Sequence, residues 1–162
     1  MRRLVLSASL IGLTFAATAC QNGGEMPMKH LTVQPADMKW EEPKSVPPGA
    51  KIAVLEGDMS KPGIFTARVW APDGYRVPPH WHPNVERVTV LSGTLYLGEG
   101  DTFDQAKAQT FPAGAYTSMP AGMHHFAWTK GETVFQITTM GPWGITYVNA
   151  ADDPRNKGAS MK

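Results

Sequence analysis

The sequence predicts an all-β domain with little helix, and three features support this fold class. After Lys51 the chain breaks into short runs rich in Val, Ile, Thr and aromatic residues, which favour strands. Gly, Pro or Asp bound these runs, and the 16 Gly and 14 Pro are scattered without an internal repeat. The length of 162 residues fits one domain, and a hydrophobic content of 42% suffices for one core.

About eight short strands are predicted, and such close spacing is typical of an antiparallel sandwich or barrel. The predicted strands are Ile52–Glu56, Ile64–Trp70, Val85–Leu91, Thr94–Leu97, Tyr116–Met119, His124–Thr129, Thr133–Met140 and Ile145–Val148. The letters LSGT at 91–94 predict a tight hairpin turn. One helical turn is expected within 101–109, with Asp101 or Thr102 as its cap.

The first 19 residues are predicted to be a signal peptide that lies outside the fold. Arg2 and Arg3 precede an apolar run, and small residues follow it up to Cys20, the only cysteine. This segment resembles a bacterial lipobox, with Ala17 where a leucine is usual. The resemblance implies an exported envelope or periplasmic protein whose only membrane contact is a lipid anchor at Cys20. The alternative is ordinary signal-peptidase cleavage just before the cysteine, which would release a soluble protein with a free thiol.

Composition also divides the rest of the chain. We predict a tether and leading segment over 20–50, one domain over 51–148 and a polar tail over 149–162, because both flanks are polar and broken by proline. The stretch 140–155 is expected to fold over an opening of the barrel, with Trp143 as a cover. The net charge is +1 and no basic block is present, so we expect no nucleic-acid partner.

A candidate metal site lies in the letters HWHPNVE, which begin at His80. On an extended strand, side chains alternate between faces, so His80 and His82 point the same way and Glu86 has the same parity. Pro83 lies between them and would disturb a regular ladder, so parity alone does not place Glu86. Imidazole and carboxylate groups are suitable ligands for first-row transition metals.

A metal at these residues needs a further ligand from elsewhere in the chain. The letters PAGMHHFAW at 120–128 offer His124 and His125, which would lie on opposite faces of a predicted strand. Only one of the two can point into the site. The residues alone leave that choice open.

Both segments resemble the sequence motifs of the cupin superfamily. Positions 74–93 read G-x5-H-x-H-x3-E-x6-G. Positions 114–129 read G-x5-P-x-G-x2-H-x3-T, where the second cupin motif ends in Asn instead of Thr129. The resemblance implies a jelly-roll β-barrel, or double-stranded antiparallel β-helix, over the predicted domain, with a metal inside it. The implied metal ligands are His80, His82, Glu86 and His125, which leaves His124 facing away.

The function implied by the resemblance is that of small single-domain, quercetin-dioxygenase-like cupins. These are metal-dependent oxidoreductases acting on a small organic molecule, and Glu86 would be the catalytic base. The cofactor would be one divalent transition metal, and the ligands do not discriminate between Fe, Mn, Ni, Cu and Zn. The alternative is a non-catalytic, envelope-anchored module that binds or senses a metal or small ligand. Many cupins dimerise through their sheets, so a homodimer is compatible with the resemblance.

Overall fold

The computed structural model describes residues 30–156. The predicted signal peptide, the anchor at Cys20 and the end of the predicted tail lie outside the described residues. The described chain is an antiparallel β-structure, as the sequence predicts. Its helices are short 3-10 turns at Pro35–Asp37, Gln105–Lys107, Ala150–Asp152 and Pro154–Asn156. A search of residues 30–156 for a helix long and apolar enough to cross a membrane finds none.

The strands follow one another along the chain with few long connections. They are β1 (Lys51–Glu56), β2 (Gly63–Ala71), β3 (Arg76–Trp81), β4 (Glu86–Glu99), β5 (Gln109–Pro112), β6 (Tyr116–Met119), β7 (His125–Gly141) and β8 (Thr146–Tyr147). Neighbouring strands run in the order β1-β2-β7-β3-β8, and β4 pairs with β5, β6 and β7. β7 therefore lies at the centre of the sheet and carries ladders to β2, β3 and β4.

The turn predicted at 91–94 is wrong, because β4 continues through it. β7 pairs with β4 on both sides of this stretch, so the long ladder outweighs the local turn chemistry. The register shifts between Val90 and Thr94, and Gly93 adopts a φ of +75° there. For the same reason the two strands predicted within 124–140 are one strand, β7.

Strands β3 and β5, which were not predicted, and one helix cap also differ from the prediction. β3 was not expected, because Pro78 and Pro79 lack the N–H that a ladder needs. They fit because the β3–β7 register shifts between Val77 and His80, where those two prolines lie. The helical turn of 101–109 is capped by Asp104, whose carboxylate accepts the Ala106 N–H, and not by Asp101 or Thr102.

The core lies between the inward faces of the long strands. In β2 and β4, buried residues alternate with more exposed ones, as a half-buried sheet requires. The buried cluster consists of Ile52, Phe65, Ala67, Val88, Val90, Leu95, Met119 and Ile137. Glu86 has the same parity as Val88 and Val90, so β4 directs this carboxyl group inward.

Part of the predicted leading segment packs on the barrel. We call residues 43–50 the strap. The Tyr75 hydroxyl donates a hydrogen bond to the Pro47 carbonyl at 2.5 Å, and the Tyr147 hydroxyl donates to the Ser45 carbonyl at 3.0 Å. Just before the strap, Glu41 forms a β-bridge with Ile52 of β1. The strap is therefore held at both its middle and its start.

Candidate metal centre

Four side chains predicted as ligands come together at strand ends. His80 lies near the end of β3 and His82 directly follows that strand, while Glu86 begins β4 and His125 begins β7. His80 is the cross-strand partner of His125. All four are buried, with exposed fractions of 3% to 7% for the whole residues. Buried ionisable groups are costly unless a partner or a metal compensates them.

The spacing of the side chains suits a single ion. One ring nitrogen each from His80, His82 and His125 can be chosen so that all three lie within 4.8 Å of one another. The Glu86 Oε2 atom lies 3.5 Å from the His82 Nε2 atom and 3.8 Å from the His125 Nε2 atom. Ligand atoms about 2.1 Å from a shared metal are separated by about 3 to 4 Å, so this arrangement needs little adjustment to hold one.

Backbone carbonyls fix the tautomer of each imidazole. The Nδ1 atoms of His80, His82 and His125 lie 2.7, 2.7 and 3.0 Å from the carbonyl oxygens of Pro78, Gly144 and Met123 respectively. A carbonyl oxygen only accepts, so each Nδ1 must carry the proton. Each neutral ring then keeps the lone pair on Nε2, which is the usual arrangement for a metal-binding histidine.

Burial favours the neutral form of two of the imidazoles, those of His80 and His125. It lowers the pKa of His80 well below its ordinary value, and the neighbouring rings of His125 and His82 lower it further. Burial is also the main reason why the pKa of His125 is lowered, although the Glu86 carboxylate opposes it. Both rings therefore present lone pairs at neutral pH, as a metal ligand must.

The donor set fits a divalent transition metal. Three Nε2 lone pairs converge beside a carboxylate, and no proton lies between these atoms when the rings are neutral. Such a cluster is repulsive by itself, and a cation among the four groups would compensate it. Three imidazoles and one carboxylate suit several first-row metals, and an octahedral ion would retain positions for other ligands.

The cluster opens on a small, almost wholly apolar cavity of about 80 Å³. This volume holds several waters but is well below the roughly 300 Å³ at which sites for drug-sized ligands begin. The cavity lies in the barrel interior and is closed on one side by the strap. The apolar lining residues are Pro43, Val46, Ala50, Ile52, Val69, Val77, Val88, Leu95, Leu97, Met119, Ala127, Phe135, Ile137 and Ile145.

Trp143 also lines the cavity and contacts the cluster directly. Its ring stacks on the His82 imidazole, with centroids 5.5 Å apart and planes 15° from parallel. Its backbone N–H donates to the Met59 carbonyl at 2.7 Å. The following residue, Gly144, supplies the carbonyl that holds His82. The segment after β7 therefore both covers the site and orients one of its histidines.

His124 lies outside the cluster, as the cupin resemblance implies. Its Nδ1 atom is 2.5 Å from the Asp101 carboxylate, and 40% of its side chain is exposed. β7 begins at His125, so these two adjacent histidines point in different directions. His124 is therefore a natural control for experiments on His125.

Thr129, which departs from the cupin motif, has a structural role. It is 2% exposed, and its hydroxyl donates to the Pro72 carbonyl at 2.6 Å and accepts the Tyr75 N–H at 3.1 Å. These bonds hold the turn that leads into β3. The departure therefore lies away from the ligands and supports the strand that carries His80.

Sequence reasoning missed the backbone partners of the imidazoles and the strap. No side-chain signal marks a carbonyl as a histidine partner, and the Gly144 carbonyl reaches His82 only through the tertiary fold. The two tyrosines that hold the strap were visible as aromatic residues, but their partners lie 28 and 102 positions away along the chain. Local patterns carry no information about such distant pairs.

Known proteins are similar to this chain in sequence. A family model for the ChrR cupin-like domain matches residues 28–144. Germin-like protein 12-2 of Oryza sativa subsp. japonica is 32% identical over 100 residues, which cover 54% of this chain and 43% of that protein. The chain thus spans less than half the length of this curated relative.

Solved structures share the fold. A putative acetylacetone dioxygenase from Methylibium petroleiphilum PM1 has a TM-score of 0.61 and 19% identity, covering 85% of this chain and 99% of its own. A structure of Rhodobacter sphaeroides SigE in complex with the anti-sigma ChrR gives a TM-score of 0.50 and 19% identity, covering 65% of this chain and 50% of that one. With the family model matching more than half of its length, the chain belongs to the ChrR cupin-like domain family, within the cupin superfamily.

Proposed function

We propose that this protein is a metal-dependent enzyme that acts on a compact, oxygen-bearing organic molecule. The observation that carries the proposal is the convergence of three Nε2 lone pairs and one carboxylate on a small apolar cavity. His80, His82, His125 and Glu86 would hold one divalent transition metal. The reaction class we favour is dioxygenase-like, since a putative acetylacetone dioxygenase shares the fold.

The cavity limits the substrate more sharply than the metal ligands do. About 80 Å³ with apolar walls admits a molecule of few heavy atoms and excludes a flavonol unless the walls move. A bound metal would polarise an oxygen of the substrate and stabilise the negative charge that develops on it. Glu86 is the carboxylate of the lining, and in this proposal it accepts the proton that the substrate loses.

The first test is elemental analysis of protein produced without a tag or chelator. We expect about one equivalent of iron, manganese or nickel in the wild-type protein and in His124→Ala. His125→Ala should contain no bound metal. Because the two histidines are adjacent, the pair separates loss of a ligand from a general effect of removing an imidazole. Equal metal content in both variants, or a wild-type protein without metal, would contradict the proposed site.

The second test is dioxygen consumption by the metal-loaded protein. Compact diketones and enediols should be consumed, whereas flavonols, which exceed the cavity, should not. Uptake that disappears in His125→Ala would assign turnover to the site. Turnover of flavonols at rates equal to those of the compact molecules would contradict the size argument.

A non-catalytic binding or sensing module is the second candidate. The match to a family model described by ChrR favours it, since ChrR is an anti-sigma protein in the solved complex. The same assay separates the two candidates. Stoichiometric metal without dioxygen uptake for any compact substrate would favour the module over the enzyme.

We also propose export with a lipid anchor at Cys20. The apolar run and the small residues that precede this cysteine support the proposal. Cys20→Ala should shift the protein from the membrane to the soluble fraction of the cell envelope, which fractionation and blotting would measure. Retention of this variant in the membrane fraction would contradict the anchor.

A further inference from the structure

His82 is oriented by a distant part of the chain, unlike the other two histidines of the cluster. The imidazoles of His80 and His125 each donate to the carbonyl of the residue two positions earlier. The His82 Nδ1 atom instead lies 2.7 Å from the carbonyl oxygen of Gly144, which is 62 positions away along the chain. The orientation of this ligand therefore depends on how the chain around Gly144 is held.

Gly144 by itself restricts the direction of its carbonyl only weakly. Glycine lacks a Cβ atom, so its backbone rotates over a wider range than that of other residues. On one side, the Trp143 N–H donates to the Met59 carbonyl at 2.7 Å and holds the chain just before Gly144. The direction of the Gly144 carbonyl therefore also depends on what holds the chain just after it.

Arg155 holds the chain just after Gly144. Its Nη2 atom donates to the Ile145 carbonyl at 2.9 Å. Ile145 is 4% exposed, so its backbone has little access to water and gains from a donor within the protein. The Gly144 carbonyl belongs to the planar peptide unit that joins Gly144 to Ile145, so a constraint on Ile145 limits the rotation of that carbonyl.

Arg155 is itself held by Asp153. The Nε and Nη2 atoms donate to the two carboxylate oxygens at 2.8 and 2.6 Å, and such a bidentate pair fixes the plane of the guanidinium group. Two 3-10 turns, Ala150–Asp152 and Pro154–Asn156, flank Asp153. The chain after β8 is therefore folded, and it directs the guanidinium back to Ile145, although 45% of the Arg155 side chain is exposed.

We propose that Arg155 is a positioning residue of the metal centre: by holding the Ile145 carbonyl, it keeps the Gly144 carbonyl directed at the His82 Nδ1 proton. The His82 Nε2 lone pair then stays aligned with the other ligands. The inference rests on the proposed function, because it assumes a divalent metal at the histidine cluster. Arg155 lies beyond residues 28–144, which the family model matches, so this support comes from outside the matched domain.

The direct experiment observes the imidazole Nδ1 protons by NMR in the zinc-loaded full chain, labelled with ¹⁵N-histidine. Nuclear Overhauser contacts with the stacked Trp143 ring assign the His82 signal. In Arg155→Met, we expect the His82 Nδ1 proton to move upfield and to exchange faster with water. The protons of His80 and His125 should stay in place, because their acceptors lie two residues away. A general loss of stability would affect all three signals.

Zinc affinity gives a second readout. Competition with a chromophoric chelator should show that Arg155→Met binds zinc about tenfold more weakly than the wild-type protein, as is usual when a group that orients a metal ligand is lost. Loss of a positive charge alone would strengthen the binding of a cation, so a weaker affinity reports positioning. Lys130→Met removes a charge from an exposed side chain of β7 and is the control, with nearly unchanged affinity.

Arg155→Lys covers the case in which Arg155→Met does not fold. Lysine keeps the charge but lacks the planar fork that contacts the Asp153 carboxylate and the Ile145 carbonyl together. We expect the same selective change at His82 and a loss of zinc affinity of about threefold.

The outcomes separate the inference from the proposed function. If the wild-type protein binds no zinc, the metal centre and this inference are both overturned. If zinc binds but the Arg155 variants bind it with wild-type affinity, the metal centre stands and the inference falls. An equal response of all three Nδ1 protons, or an unmoved His82 signal, would likewise overturn the inference alone.

Discussion

The Glu86 carboxylate lies beside two imidazole nitrogens that carry lone pairs instead of protons. Apart from those nitrogens, no hydrogen-bond or ion-pair partner for its oxygens is found among the described residues. A buried carboxylate without a donor is unfavourable in the metal-free protein and favourable once a cation binds. Its contribution to stability should therefore change sign with the metal.

Glu86→Gln should separate these two effects. The amide can donate to a histidine Nε2 atom, so we expect the free energy of unfolding of the metal-free protein to rise by about 1 kcal/mol. Zinc affinity should fall at least about tenfold because the charge is lost. Urea unfolding with chelator, and zinc titration after its removal, measure the two quantities.

Glu132→Gln makes the same charge change at an exposed position and is the control for Glu86→Gln. It should leave both quantities nearly unchanged, since an isolated surface charge contributes little. If Glu86→Gln destabilises the metal-free protein by more than the control does, the carboxylate has a structural partner that the lone-pair argument omits.

At the residue scale, the sequence predicted the cluster but not its surroundings. His80, His82 and Glu86 share parity along an extended chain, which is a local property. The choice of His125 over His124 needed the motif resemblance, because parity permits either one. Trp143 was expected as a cover, but its contact with His82 depends on how the chain returns after β7.

At the scale of elements, Gly93 tests the long β4–β7 ladder. A Cβ at this position would clash with the Glu132 carbonyl oxygen and the Thr133 backbone, and the φ of +75° disfavours any side chain. Gly93→Ala should therefore lower the free energy of unfolding by about 3 kcal/mol, from strain and overpacking together. Chemical denaturation measures the change.

Gly114→Ala separates the strain from the clash. Gly114 also has a positive φ, +88°, but no atom lies within 4 Å of an added Cβ. This variant should lose only the conformational part, about 1 kcal/mol. Similar losses at both glycines would mean that close packing against β7 does not constrain the bulge of β4.

The errors in predicting elements have a common physical cause. LSGT has the composition of a turn, and Pro78 and Pro79 have that of a break, so local chemistry argued against strands in both places. In each case a partner strand supplies the ladder, and a register shift absorbs the unsuitable residues. Strands that gain hydrogen bonds from distant partners override local preferences that short windows detect.

At the scale of the whole molecule, the strap connects the start of the described chain to the cavity. The sequence predicted only a tether and leading segment over 20–50, because that stretch is polar and broken by proline. In the structure, Pro43, Val46 and Ala50 form part of the cavity wall. Closure of the barrel interior therefore depends on the two tyrosine hydroxyls that hold the strap.

The tyrosines should also make stability depend on alkaline pH. Burial is the main cause that raises the pKa of Tyr75 and of Tyr147 above the ordinary value of about 10. A raised pKa in the folded state means that deprotonation favours unfolding. The stabilisation is fully present below about pH 10 and is lost as the pH rises through the folded-state values.

Replacing both tyrosines by phenylalanine should reveal this dependence. At near-neutral pH the double variant should lose about 2 kcal/mol of unfolding free energy, from two hydrogen bonds to strap carbonyls. Above about pH 10 the difference from the wild-type protein should shrink, because these tyrosines ionise in the unfolded chain while they are still protonated in the folded one. Urea unfolding across this pH range measures both effects, with Tyr116→Phe as the control because that ring is 59% exposed. A difference in unfolding free energy that stays constant with pH would show that the hydroxyls do not hold the strap. Other contacts would then have to hold this part of the cavity wall in place.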